Sequence, residues 1–377
     1  MAALSQLKLL QAKGVPVALF SKEDVAKPFS PTRKQDFIKY FYSKSAGRSF
    51  TKVIEQFKPD IIHIHSFSGY LSNSLITMLQ RVKVPAVFTV HDYRILCPFS
   101  ILFQQGKVCM QCPQSGSTLG VVRNRCNRNS VVLSGVNYLD HLIAFKWLNF
   151  VDVIHRFHFV SAFSHRTHCH FQPRLETKSE YFPNFCFDVG WQGVKPHKGY
   201  ILYLGRLAIG KGLVRFLEAY IKLTHIPFTL KIAGTGDLEE AIKSLASQDS
   251  RIELTGFVSG QQKQELLQHA AFTLLPSEWL ENNPISLIES LAAGIPVIGS
   301  NRGGIPEMVV NGKSGFIFNH DEPGSIENML AGISTLSPAH WEQLSVNARR
   351  HYEENYTPDI HFSNLMAFYH NTLKRES

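Results

Sequence analysis

Short apolar runs of β-type residues alternate with amphipathic segments of helical periodicity through the second half of the chain. Strands separated by helical patterns of roughly 10–12 residues are typical of βαβ units, which build a parallel sheet covered on both faces. This half is therefore predicted to form a doubly wound sheet. The strand runs are YILYLG, FTLKIAG, RIELTGFV, FTLLPS and IPVIGS, and the helical segments between them are GLVRFLEAYIKL, DLEEAIKSLASQ, GQQKQELLQHAA and PISLIESLAAG.

The first half repeats this pattern less regularly. A helical segment over residues 2–13 leads to the apolar run VPVALF, and a second segment near 46–57 leads to DIIHIHS. The segments SNSLITMLQRV and PAVFTVH then follow as a helix and a strand. This half is thus predicted to contain a second sheet of the same type.

Residues 187–199 are polar and contain Gly and Pro, which is typical of a linker between domains. We predict an α/β fold with two doubly wound, Rossmann-like domains, the first over residues 1–190 and the second over 191–352. Residues 353–377 are predicted to form a C-terminal helix that crosses back to the first domain. Because ligands bind beyond the carboxyl ends of parallel strands, the expected site is the cleft between the two sheets.

Composition describes an ordinary globular protein of two domains: 377 residues, 44% hydrophobic and 18% charged. No apolar run reaches the roughly 18 residues of a membrane span, and the N-terminal residues lack a signal-peptide pattern. We therefore expect a cytoplasmic location, with possible attachment to the inner face of the membrane. The net charge of +9 predicts a phosphate-bearing partner, although no nucleic-acid recognition motif is present.

Loops suited to phosphate or diol binding follow consecutive strands of the second half. RLAIGKG, after the first strand, places Arg206 and Lys211 before a helix, where cations and free N–H groups can bind a diphosphate. Gly234 ends the run FTLKIAG just before the tight loop TGD, and Gly303 and Gly304 follow IPVIGS, so the backbone can approach a ligand closely. These loops would meet at one edge of the predicted sheet.

A carboxylate interrupts the apolar face of the helix that follows FTLLPS. Asn283 is predicted to cap this helix, and Pro284 to occupy its first position. Glu289 lies among apolar residues that recur at helical spacing over residues 285–292. An unpaired charge near a packed face is costly, so Glu289 has either a structural partner or a ligand.

These motifs together resemble the donor domain of the retaining glycosyltransferases of family 4, which have the GT-B fold, two Rossmann-like domains facing a central cleft. The resemblance covers about residues 200–330, and its hallmark is a pair of glutamates, Glu281 and Glu289, separated by seven residues. The first half resembles the family more loosely, and HDYRILCP with its later cysteines is similar to enzymes of bacterial surface polysaccharides. The matching segments are GRLAIGKG, AGTGDLEE, LTGFV, LLPSEWLENNPISLIESLAAGIPVIGSNRGGIPEMV and NGKSGFIF in the second half, and KPDIIHIHS, VPAVFTVHDYRILCP, FVSAFS and FPNF in the first.

The resemblance implies a role for each matching residue. Glu289 would accept hydrogen bonds from the ribose hydroxyls of a nucleotide, and Glu281 would contact the donor sugar. Arg206 and Lys211 would stabilise the leaving diphosphate, and His91 would contact the donor sugar at the first domain. The implied catalytic residues are His91, Arg206, Lys211 and Glu281. The implied donor-binding residues are Gly205, Arg206, Lys211, Gly234, Phe257, Val258, Glu281, Asn282, Asn283, Pro284, Ile285, Glu289, Gly303 and Gly304.

The implied reaction is transfer of a sugar, with retention, from a UDP- or GDP-sugar to a glycan or lipid-linked acceptor. The chain contains no Asp-x-Asp motif, which agrees with catalysis without a metal cofactor. Two alternatives remain open. One is a nucleotide-sugar epimerase of the same architecture. The other is a catalytically impaired remnant that binds nucleotide sugar. In the family a first strand and a Gly-rich loop precede the helix that residues 2–13 resemble, and we expect both to be missing from the first domain.

Two further features leave alternatives open. Cys97, Cys109, Cys112 and Cys126 have the spacing C-x11-C-x2-C-x13-C, which suits either a structural zinc or free buried thiols. Arginines at 123, 125 and 128 precede the aromatic segment SGVNYLDHLIAFKWLNF. This combination suits peripheral membrane contact, or a helix that packs on its own sheet.

Overall fold

The computed structural model describes residues 2–25, 37–68 and 71–374, which divide into two compact units. The first unit comprises the described residues within Met1–Leu102, Cys109–Phe182 and Phe362–Ser377, and the second comprises Phe103–Val108 and Pro183–His361. In the described ranges no helix is both long enough and apolar enough to cross a bilayer.

The strands and helices are numbered in chain order. The strands are β1 (Ile62–Ile64), β2 (Ala86–Val90), β3 (Phe103–Gln104), β4 (Lys107–Val108), β5 (Arg156–Phe159), β6 (Ser179–Tyr181), β7 (Tyr200–Leu204), β8 (Thr229–Ala233), β9 (Ile252–Gly256), β10 (Phe272–Leu275), β11 (Val297–Ser300) and β12 (Gly315–Phe318). The helices are α1 (Ala2–Ala12), α2 (Phe37–Phe41), α3 (Lys44–Phe57), α4 (Ser74–Leu79), α5 (Gln111–Ser115), α6 (Gly120–Arg123), α7 (Val131–Leu142), α8 (Phe150–Val153), α9 (Ala162–Phe171), α10 (Leu213–Ile221), α11 (Glu239–Ala246), α12 (Gly260–Gln268), α13 (Ile285–Ala292), α14 (Ile305–Met308), α15 (Ser325–Ser334), α16 (Pro338–Asn355) and α17 (Pro358–Lys374). Residues Lys22–Asp24 and Pro173–Lys178 form 3₁₀ turns, and Ile143–Trp147 forms a π-helical segment after α7.

The first unit contains a parallel sheet of four strands in the order β1-β2-β5-β6. Ile76, Phe150, Phe157 and Phe159 are fully buried in the core beside this sheet. From Phe362 onward α17 belongs to this unit, where Phe368 packs with residues of β2 and α1. Burial of this apolar surface fixes the C-terminal segment against the first unit's sheet.

The second unit contains a parallel sheet of six strands in the order β12-β11-β10-β7-β8-β9. Its strands β7, β10 and β11 are almost entirely buried because helices cover both faces, and Ile201, Leu230, Phe272 and Ile298 are fully buried. β7 and β10 pair in the middle of the sheet, with Thr273 opposite Leu202. The strand–helix alternation predicted from the sequence is therefore confirmed, and the carboxyl ends of six strands share one edge.

Two local predictions were wrong. The run VPVALF, residues 15–20, forms no strand in the described chain, because a strand requires a hydrogen-bonded neighbour and no described strand pairs with it. Asn283 does not cap α13: Pro284 holds the cap position, with ψ 122°, and the helix begins at Ile285. The amide of Asn283 is engaged elsewhere, as described below.

Candidate functional site

Four loops of the second unit approach one another at the carboxyl edge of its sheet. A side chain at Gly212, where φ is +70°, would place its Cβ 1.8 Å from the carbonyl oxygen of Pro276. A Cβ at Gly303, where φ is +62°, would lie 2.1 Å from the carbonyl oxygen of Glu281, and the N–H of Gly304 donates to that oxygen at 2.7 Å. The loops after β7, β10 and β11 are thus in backbone contact, which only glycine permits at these two positions.

The loop after β8 joins this arrangement through Gly234. A Cβ at Gly234 would lie 1.8 Å from the carbonyl oxygen of Gly205, so the predicted residues Gly205 and Gly234 are in direct backbone contact. The predicted residues Gly303 and Gly304 contact Glu281 in the same way. The structure therefore brings together the loop residues that the sequence singled out separately.

Glu281 is the most densely hydrogen-bonded carboxylate of this edge. Its Oε1 accepts from Lys211 Nζ at 2.7 Å, Ser277 Oγ at 2.7 Å and Trp279 Nε1 at 2.6 Å. Burial raises the pKa of the Glu281 carboxyl, but the Lys211 charge and the three hydrogen bonds outweigh burial and lower the pKa below its usual value. Glu281 is therefore ionised at neutral pH, in a preformed pocket of donors.

Lys211 lies between this carboxylate and an aromatic ring. Its ammonium is 4.6 Å from the centre of the Trp279 ring, and its side chain is largely buried. Since an ammonium has three donors, Lys211 can hold Glu281 and still bond to a ligand. Arg206, on the same loop, is exposed, and its side chain forms no ion pair with any residue that the structure describes.

Glu289 has a structural partner, which answers one of the alternatives left open. Lys263 Nζ, from α12, donates to Glu289 Oε2 at 2.6 Å, and both side chains are about three-quarters buried. Phe257, the first residue of the loop between β9 and α12, is 72% exposed, whereas Val258 is buried in the core. Of these two predicted residues, only Phe257 presents its side chain for contact with a ligand.

Asn283 joins the loop before α13 to the segment that follows β6. Its Oδ1 accepts from the N–H of Asn184 at 2.8 Å, and its carbonyl oxygen accepts from Asn184 Nδ2 at 3.0 Å. Asn282 and Asn283 are both buried, while Pro284 and Ile285 are partly exposed. The amide side chain of Asn283 therefore positions the loop instead of capping the helix.

The first unit places His91 at the carboxyl end of β2, in a line of histidines. His91 Nε2 lies 2.9 Å from His65 Nδ1, and the ring of His65 stacks on that of His63 at 4.5 Å. His63 in turn bonds to Thr89 and to Tyr369 of α17, each at 2.6 Å. Burial lowers the pKa of His91 to about 4, so its imidazole is neutral at neutral pH and can accept or donate a hydrogen bond.

The four cysteines of the predicted zinc set are free thiols in the first unit. A hydrogen bond joins Cys97 and Cys112, and it lowers the pKa of Cys97 and raises that of Cys112. The thiols of Cys109 and Cys126 lie close enough to act electrostatically on Cys112. Even so, the described residues contain no group of three or more His, Cys, Asp or Glu side chains arranged to hold a metal ion.

A structural zinc at these cysteines consequently remains a prediction, and it has a direct test. If the site exists, elemental analysis of protein purified without chelator should find one zinc per chain. The zinc should be lost in Cys112→Ser and retained in the matched variant Cys169→Ser, which removes a thiol outside the set. Absence of zinc from the unmodified chain would eliminate the site.

Sequence reasoning missed several residues of the site. Trp279 and Ser277 lie two and four positions before Glu281, so the segment SEWLE contains a local signal for both residues. Lys263 and Asn184 gave no such signal, because each meets its partner from a distant part of the chain. Only the folded unit brings them to Glu289 and Asn283.

Known proteins resemble this chain most clearly in its second unit. Residues 191–351 match the family model described as glycosyl transferases group 1. The amylovoran biosynthesis glycosyltransferase AmsK of Erwinia amylovora is 31% identical over 144 residues, which is 36% of this chain and 35% of AmsK. The sulfoquinovosyl transferase SQD2 of Arabidopsis thaliana is 23% identical over 290 residues, 75% of this chain and 51% of SQD2. The chain thus matches between about a third and a half of these relatives' lengths.

Solved structures show the same fold along most of the chain. A glycosyltransferase from Rickettsia africae superimposes with a TM-score of 0.62 at 16% identity, covering 98% of this chain and 88% of that one. Anabaena Alr3699/HepE in complex with UDP gives 0.61 at 15% identity, covering 96% and 88%. The fold is therefore the GT-B fold of two Rossmann-like domains, and the match to the glycosyl transferases group 1 model lies within the second unit.

Proposed function

We propose that this chain transfers a sugar from a nucleoside-diphosphate sugar to a glycan or lipid-linked acceptor, with retention at the anomeric carbon and without a catalytic metal. The observation that carries the proposal is the ionised Glu281, held by Lys211, Ser277 and Trp279 where four loops of a parallel sheet meet. Such an edge is where α/β folds bind ligands, and a preformed carboxylate suits the hydroxyls of a sugar.

The nucleotide would occupy the surface between Phe257 and Glu289. Phe257 offers an exposed ring on which a base can stack. Within the described chain Lys263 bonds to Oε2 of Glu289 only, so Oε1 and the second lone pair of Oε2 remain for the ribose diol. The solved complexes of Alr3699/HepE contain UDP, UDP with glucose, or UDP-glucose, which makes UDP and UDP-sugars the first ligands to test, before GDP-sugars.

Cleavage of the donor develops negative charge on the leaving diphosphate. Lys211 and Arg206 lie on one loop, and both can stabilise that charge by fixed electrostatics, without a metal ion. The backbone N–H groups at the start of α13 add donors for the same phosphates. In the proposed front-face mechanism, the leaving phosphate helps to remove the proton of the acceptor hydroxyl, and neutral His91 contacts the donor sugar.

AmsK and SQD2 carry glycosyltransferase names, and neither comparison supports the epimerase alternative. AmsK is named for the biosynthesis of amylovoran. On that likeness, and on the segment HDYRILCP, we infer that the acceptor is a growing glycan or its lipid-linked form. The catalytically impaired remnant remains a distinct outcome of the experiment below.

UDP is expected to raise the thermal midpoint of the full chain, because a ligand at 100 times its Kd stabilises the folded state by about 2.7 kcal/mol. Transfer from a UDP-sugar should continue in EDTA. The measurements are a thermal-shift series over UDP, GDP and their sugars, followed by a transfer assay with and without EDTA. Binding without transfer to any acceptor would indicate the remnant, and dependence on added Mg²⁺ or Mn²⁺ would contradict the role given to Arg206 and Lys211.

A further inference from the structure

The outward side of α7 and the π-helical segment after it is apolar. The inward side of these elements packs in the first unit through Val136, Ala144 and Phe145. The outward side, here called the α7 face, consists of Val131, Val132, Leu139, Ile143 and Trp147. Three of these are exposed, Val131 by 49%, Val132 by 73% and Trp147 by 65%, whereas Leu139 and Ile143 are half-buried. A surface helix ordinarily presents polar residues on this side.

The segments that adjoin α7 in the chain carry surface charge of a single sign. Between Asp92 and Asp152 the only acidic residue is Asp140, which is buried and forms an ion pair with Arg94. Asn73 Nδ2 donates to the same carboxylate at 2.8 Å, so Asp140 anchors α7 to its unit and contributes no charge to the surface.

Basic residues, in contrast, are exposed on the neighbouring segment. Arg123 ends α6, which packs on α7, and Arg125 and Arg128 lie in the connection between the two helices. All three side chains are exposed, and Lys146 is exposed on the π-helical segment itself. The apolar strip and four exposed cations thus lie on neighbouring elements, and residues 111–149 contain no exposed acid.

We propose that this surface binds an anionic lipid bilayer, with the α7 face in the interface and Arg123, Arg125 and Arg128 on the headgroups. An apolar helix face bordered by basic residues is the pattern by which proteins lie on such membranes. A symmetric contact with a second copy would bring the same cations against one another, which is unfavourable. Nucleic acid would account for the cations but not for the apolar strip.

The inference goes beyond the proposed function and does not depend on it, because its readout is binding to vesicles. Failure of sugar transfer would leave it intact, and failure of vesicle binding would leave donor recognition by the second unit intact. If both hold, the lipid-linked form of the acceptor is favoured over a free glycan.

The experiment measures flotation of the full chain with vesicles of phosphatidylcholine, with and without phosphatidylglycerol. Each surface arginine contributes about 1 kcal/mol to binding of an anionic bilayer, so Arg123→Gln/Arg125→Gln/Arg128→Gln should lower the affinity on the order of 100-fold. Val132→Ser/Trp147→Ser should lower it by roughly tenfold, since it removes the most exposed apolar groups. The tryptophan fluorescence of the unmodified chain should shift to the blue when it binds vesicles. The fluorescence of Trp147→Phe should not shift.

The matched control is Lys222→Gln/Lys313→Gln/Arg350→Gln, which removes the same charge from exposed positions of the second unit. This control should retain the affinity of the unmodified chain within about twofold, and circular dichroism should show that all variants are folded. Absence of vesicle binding at millimolar lipid would overturn the proposal, as would equal losses in the control and in the arginine variant. Self-association that Val132→Ser/Trp147→Ser abolishes, without vesicle binding, would assign the surface to a second copy instead.

Discussion

Lys211→Met is expected to lower the rate of sugar transfer by about 10²–10³-fold and to destabilise the second unit by roughly 3 kcal/mol. In the proposed mechanism the ammonium stabilises the leaving diphosphate, and it also neutralises Glu281, whose Oε1 it contacts at 2.7 Å. Its removal leaves a buried carboxylate with two neutral donors, Ser277 and Trp279. The measurements are a single-turnover transfer assay with a UDP-sugar and chemical denaturation.

The double variant Lys211→Met/Glu281→Gln separates these two effects. It removes both charges, so most of the lost stability should return while transfer stays low. Recovery of transfer in the double variant would show that Lys211 acts only by neutralising Glu281. Lys231→Met is the matched control, because it breaks a more exposed ion pair with Glu253 in the same unit and should cost no more than about 1 kcal/mol.

Glu289→Gln is expected to weaken UDP binding by about 10- to 150-fold, which corresponds to roughly 1.5–3 kcal/mol for hydrogen bonds to a charged group. The carboxylate oxygens match the ribose diol, and an amide supplies only one acceptor oxygen. Isothermal titration calorimetry with UDP measures the loss. Unchanged affinity in a folded variant would end the ribose assignment.

A second nucleotide makes the assignment specific. The unmodified chain should bind 2′-deoxy-UDP more weakly than UDP, and Glu289→Gln should discriminate much less between the two, since the partner of the 2′-hydroxyl is then altered. Lys263→Met retains the carboxylate and should keep UDP affinity within about fivefold. Equal discrimination by the unmodified chain and Glu289→Gln would place the ribose elsewhere.

Much of the candidate site could be predicted because the ligand-binding loops of a parallel sheet all lie at the carboxyl ends of its strands. The alternation of apolar runs with helical segments predicts strands that end at or shortly before Gly205, Gly234 and Gly303. The carboxyl ends of parallel strands share one edge of the sheet. Backbone contacts of Gly234 with Gly205, and of Gly303 with Glu281, agree with this expectation. The functional roles assigned to these residues came from a resemblance and await the experiments above.

The failures have a common origin in non-local partners. Asn283 has the right residue type for a helix cap, but its amide binds Asn184. The run VPVALF has strand character, yet no described strand lies beside it. In each case the segments that become neighbours in the folded unit decided the local structure, and the intrinsic propensity of the residues did not.

Periodicity and loop composition alone determined the α/β class, the order of the second unit's elements and the edge that carries Lys211 and Glu281, because each depends on residues close in sequence. Tertiary structure decided which partner each charge obtained: Lys211 for Glu281, Lys263 for Glu289 and Arg94 for Asp140. It also decided that α7 turns apolar residues outward. Ion pairs and exposed faces depend on packing between distant segments, and spacing along the chain does not encode that packing.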